Sequence, residues 1–213
     1  MSYVIAVLNP KGGCGKTTLV TNIARALQGE GSVIILDTDP QQTAGDWAEK
    51  SPEDYPAVAF VKGASLRKQV PKFRDMFDIV VIDGAASLGE VTAESVRVAD
   101  LILIPVQPSL PDIWATADLV DAVKTRRTIT EGKPDAAFLI SRQSANTRMS
   151  RGVEIPLKEF GIPVLSSRTS NRVAFAEAIS AGMAVTDYEP AGKAAEEIIS
   201  ITQELKEVIH AKV

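Results

Sequence analysis

The chain has 213 residues, 45% of them hydrophobic and 23% charged, enough to bury the core of one large soluble domain. One cysteine (Cys14) and one histidine (His210) exclude an internal disulfide framework, a multi-cysteine metal site and histidine-based catalysis. A net charge of −4 gives no global attraction to nucleic acid, and no apolar run approaches the roughly 18 residues of a membrane span.

In chain order, apolar runs read as strands at 3–8, 32–37, 57–61, 78–83, 101–106, 136–140 and 162–165. They are continuously apolar, as strands covered on both faces are. Helical patterns lie between them. Leu19, Ile23 and Leu27 share one face, with Gly29 as the expected stop; Ile113, Ala117 and Val120 repeat the spacing. Ile198, Ile201, Leu205 and Val208 mark a terminal helix. This alternation predicts a single α/β domain, 1–213, with a mostly parallel, doubly wound sheet flanked by helices. The Pro- and acid-rich stretch 49–56 is expected as a surface loop.

Between the first strand and the first helix stands NPKGGCGKTTL, residues 9–19. A strand that ends in glycines and opens a helix surrounds a concavity with unpaired backbone N–H groups and the positive end of the helix dipole. Lys16 is placed to reach the β- and γ-phosphates of a nucleotide and Thr17 to ligate Mg2+. Pro10 replaces the first glycine of the strict phosphate-loop pattern, and a second lysine, Lys11, precedes Gly12 and Gly13. A phosphate loop needs carboxylates to place Mg2+ and the attacking water. LDTDP supplies Asp37 and Asp39, and VVIDG supplies Asp83 at a strand end, where ligands bind in such sheets.

KGGCGKTT resembles the deviant Walker A motif of the ParA/MinD family of P-loop ATPases. The resemblance implies that ATP is held by Lys11, Gly12, Gly13, Cys14, Gly15, Lys16, Thr17 and Thr18. It also implies that Lys11 reaches across a nucleotide-sandwich homodimer to the partner's ATP. Asp39 is then expected to orient the water, Asp83 to hold Mg2+ through water, and Asp37 to be a weaker Mg2+-side candidate. Gln41 is a weaker switch candidate. In LILIPVQPSLPDIWA, the turn at Pro108 and Ser109, with Asp112 behind it, is expected to read the adenine edge.

LDTDPQQTAGDW, VVIDGAASL and PVQPSLPD look most like the short, ParF-like plasmid-partition proteins, with no N-terminal helix-turn-helix domain. The implied function is a slow, partner-stimulated ATP hydrolase. With ATP it dimerises, binds nucleoid DNA without sequence preference and works with a ParB-like adaptor in the cytoplasm. The alternative is a relative that positions another cargo, a carboxysome or a chemoreceptor cluster. Residues 138–173 hold Arg142, Arg148, Arg151, Lys158, Arg168 and Arg172 against two glutamates, and are the expected DNA-binding segment. A MinD-like membrane anchor is disfavoured because the tail from Lys193 mixes four glutamates with three lysines. A lone Cys14 disfavours an iron–sulfur carrier. A small-molecule ligase or kinase, and an ATP-gated binding module without turnover, are the other rivals.

Overall fold

The β-branched runs pair side by side. In the computed structural model, which describes residues 2–87, 89–144 and 153–210, β1 (Tyr3–Val7), β2 (Val33–Asp37), β3 (Ala57–Phe60), β4 (Ile79–Asp83), β5 (Leu101–Val106) and β6 (Asp135–Ile140) form one parallel sheet. Its order is β3-β2-β4-β1-β5-β6. Alternation along β1 divides the core: Tyr3, Ile5 and Val7 join one apolar cluster, Val4, Ala6 and Leu8 the other. Over the first face lie α1 (Lys16–Leu27), α2 (Thr43–Ala48), α8 (Val173–Ser180), α9 (Val185–Tyr188) and α10 (Lys193–His210). Over the second lie α3 (Leu66–Arg74), α4 (Glu90–Val98), α5 (Leu110–Trp114), α6 (Ala117–Ile129) and α7 (Glu154–Glu159).

The sheet is therefore parallel and covered on both sides, as the unbroken apolar runs require. β3 is the exception. It is an edge strand, and Phe60 is 44% exposed. The strand expected at 162–165 contracts to a parallel bridge between Val164 and Phe138. Pro163 gives the Phe138 N–H its carbonyl at 2.8 Å but has no N–H to extend a ladder. Gly29 does not stop α1. A 3-10 turn over Gln28–Glu30 follows the helix, and the break comes at Gly31, with φ 156°, where a side chain would press on Asp78. The helical pattern through Ile113, Ala117 and Val120 is split between α5 and α6.

The register sets the site. Asp37 of β2 lies opposite Asp83 of β4, and Val7 of β1 lies opposite Asp83 on its other side. The carboxyl ends of three adjacent strands thus deliver two acids and the glycine loop to one sheet edge.

Candidate nucleotide site

The loop after β1 is fixed from both sides. Asn9 donates to the Pro105 carbonyl at 2.6 Å, and its own side-chain oxygen accepts the Lys11 N–H at 2.7 Å. Gly13 and Gly15 take φ values of 76° and 90°, a left-handed path that side chains resist. Gly15 is the residue before the first turn of α1, so the free N–H groups of that turn open toward the loop. The Lys16 amine folds back over the loop and donates to the Lys11 carbonyl at 3.2 Å. Cys14 is buried, its thiol donates to the same carbonyl at 3.4 Å, and burial raises its pKa, so it is an unreactive packing residue.

The acids divide by environment. Asp37 is buried, and both of its oxygens accept backbone N–H groups, from Asp39 at 2.9 Å and from Ala44 at 3.1 Å. Burial raises its pKa against those bonds. Asp37 thereby ties the β2 end to the start of α2. Asp39 is half-buried and accepts the Gln41 N–H at 3.0 Å. Asp83 differs from both. It is 1% exposed, and neither carboxylate oxygen has a hydrogen-bond partner among the described residues. Burial pushes its pKa up to about 7, and the Asp37 charge adds to this, while the Thr17 hydroxyl and the Lys16 amine pull it down. A buried, unpartnered carboxylate beside a threonine hydroxyl at a phosphate loop fits a hydrated Mg2+, which takes few protein oxygens and keeps its waters.

Lys11 is turned away from this centre. Its amine pairs with Asp112 of α5 at 2.6 Å, and the other Asp112 oxygen takes the Ser109 hydroxyl. Ser109 also caps α5 through the Asp112 N–H at 3.3 Å. Pro108 and Ser109 thus stand on the Lys11 side of the loop, where Gln107 donates to the Gly13 carbonyl at 3.1 Å.

On the other side lies a cavity of about 220 Å3 that sequence reasoning missed. Gly15, Thr18 and Leu19 of the loop and α1, Ser141 and Arg142 after β6, and residues from Thr169 to Ile179 line it. Ser141 donates to the Cys14 carbonyl at 2.9 Å, and Arg142 donates to the Gly13 carbonyl at 2.7 Å from a left-handed backbone, φ 54°. Glu197 of α10 accepts from the Ser170 N–H at 2.9 Å and from Arg172 at 2.7 Å. Glu204 accepts from the Ser167 N–H at 2.6 Å. The acids of the terminal helix thus hold the cavity wall. No spacing in the sequence announces segments so far apart.

Among the described residues, the cations of the expected DNA-binding segment have partners within the fold. Arg168 and Lys158 both pair with Glu154, at 3.0 and 3.6 Å, Arg172 pairs with Glu197, and Arg142 serves the loop. Arg148 and Arg151 lie outside the described residues.

Residues 5–206 match the model of the CobQ/CobB/MinD/ParA nucleotide-binding domain. The chain belongs to this family of P-loop ATPases. It is 31% identical over 212 residues to maintenance of carboxysome distribution protein A of Halothiobacillus neapolitanus, covering 98% of this chain and 97% of the relative. Its fold matches the ATP complex of a Cyanothece McdA variant with a TM-score of 0.80 at 14% identity, over 98% of this chain and 96% of that one. It also matches the Mg-ADP complex of the septum site-determining protein MinD from Pyrococcus horikoshii, with a TM-score of 0.78 at 16% identity, over 100% and 99% of the two chains.

Proposed function

We propose that the chain is an ATP-driven positioning switch that works as a nucleotide-sandwich dimer, holds nucleoid DNA and, with an adaptor protein, spaces a large cargo. The likeness to the carboxysome distribution proteins supports a cargo such as the carboxysome over the plasmid suggested by the motifs. The single observation that carries nucleotide chemistry is the buried, unpartnered Asp83 carboxylate beside the glycine loop.

In this reading the N–H groups around Gly12–Thr18 cradle the phosphates, and Lys16 leaves the Lys11 carbonyl to neutralise them. Thr17 and Asp83 hold the Mg2+ shell. Bound Mg2+ supplies charge neutralisation on the phosphates. Asp39, the most exposed of the three acids, orients the attacking water. The base occupies the cavity behind Gly15, where Leu19, Phe175 and Ile179 offer apolar contact and Ser141, Thr169 and Asn171 offer polar atoms. The Pro108–Ser109 turn then serves Lys11 and Asp112 instead of the base.

Light scattering coupled to size exclusion tests the switch. Asp39→Ala protein should be monomeric with ADP and dimeric with ATP and Mg2+. A monomer in both, with nucleotide bound, removes the sandwich reading.

A further inference from the structure

Helices α3 and α6, with Arg97 of α4, place cations on the sheet face opposite α1 and α10; α4 also carries Glu90 and Glu94, and α6 carries Asp118 and Asp121 toward its start. α3 carries Arg67, Lys68, Lys72 and Arg74 with no acid in its span. Arg67 meets Arg97 of α4 and Arg126 of α6 around a cleft of about 320 Å3, lined also by Val98. A second cleft of about 190 Å3 continues from Arg97 and Arg126 to Lys133 and Arg74. Arg74 is neutralised by Asp100 and Arg97 by Glu94, each at 2.6 Å. Among the described residues, no ion pair engages Arg67, Lys68, Lys72, Lys124, Arg126, Arg127 or Lys133. Like charges gathered round one cleft repel unless an anion shares it. Among the described residues of 138–173, Arg142, Lys158, Arg168 and Arg172 are, by contrast, engaged by the loop, Glu154 and Glu197.

We propose that the α3–α4–α6 face is where this chain grips the phosphate backbone of duplex DNA. The proposal rests on the reading that the chain binds DNA and gives that binding a place. Guanidinium forks match phosphate oxygens in pairs, and cations spread over three helices suit a repeating polyanion better than a single bound anion. Among the described residues no aromatic side chain lines either cleft, so the grip is on the backbone and not on bases. Arg74 also donates to the Ser2 carbonyl at 2.8 Å, which puts this face beside the amino end of β1, at the sheet edge away from the phosphate loop. DNA and nucleotide therefore do not compete for space. A closed dimer carries two such faces, and the second contact is then intramolecular.

Anisotropy of a labelled random-sequence duplex, with the full chain in ATP and Mg2+, tests this. Arg67→Glu with Arg126→Glu should weaken binding about tenfold at low salt and flatten the log–log salt dependence by about 2. Basal ATP turnover and the thermal melt should stay at wild-type values. The gentler pair Arg67→Gln with Lys68→Gln should show the same trend at smaller size. Wild-type affinity and slope in both variants would overturn the location while leaving DNA binding intact. A wild-type chain that shows no salt-sensitive retention would overturn the DNA reading and the proposal together. Preference for polyglutamate over duplex at equal ionic strength would assign the face to an acidic partner and overturn it as well.

Discussion

Asp83 shows how a single position can work against the fold that holds it. Its pKa of about 7 lies above the ordinary carboxylate range, so the unfolded chain loses this proton first as pH rises. Its contribution to stability is therefore complete below about pH 4, falls between there and pH 7, and stays low above. Asp83→Asn should remove that dependence. The nucleotide-free variant should be more stable than wild type at pH 8, by roughly 2 to 4 kcal/mol in urea unfolding, and equal to it near pH 4. The same variant should lose Mg2+-dependent nucleotide affinity. Equal stability at both pH values would mean the carboxylate is not held unpaired. Lys11 makes a separate prediction, because its amine rests on Asp112 and not on its own loop. Lys11→Ala should keep nucleotide affinity within a few fold of wild type, by fluorescent-nucleotide titration, and lose the ATP-dependent dimer.

At the level of elements, the terminal helix separates the rival readings. Ile198, Ile201 and Leu205 of α10 are fully buried against the first core cluster, and Glu197 and Glu204 hold the loop that walls the cavity. Leu205→Ala should cost about 2 to 5 kcal/mol in denaturant unfolding, as a buried leucine does. A helix kept free for a lipid surface would tolerate the change. The same helix shows what the sequence concealed. The glycine loop and the three acids were legible because each is a short motif at the end of an apolar run. The cavity was not, since Ser141, Thr169 and Phe175 lie far from Gly15 in sequence and line one cavity with it only in the fold. The ion pairing within 138–173 was not legible for a related reason: Glu197, which pairs with Arg172, lies outside that segment and reaches it only through the fold. The strand at 162–165 was read from composition, while Pro163 decided its length.

For the whole molecule, the parallel sheet expected from strand–helix alternation is present, and its carboxyl edge carries every part of the phosphate site. Asp83 is buried with no hydrogen-bond partner among the described residues, and the Lys11 amine rests on Asp112. Phosphate release should be slow for the chain alone and rise severalfold when duplex DNA and the cargo adaptor are added together; rapid turnover by the chain alone would favour a metabolic ligase or kinase. The anchoring of Ser2 by Arg74 bears on how such a protein can be watched in a cell. A fluorescent fusion or affinity handle joined before Ser2 hangs beside Arg74 and the arginine clefts, where it would shade whatever docks there and make a working switch look diffuse. The exposed residues Pro52 and Glu53, which follow α2 on the other face of the sheet, are the better place for a label.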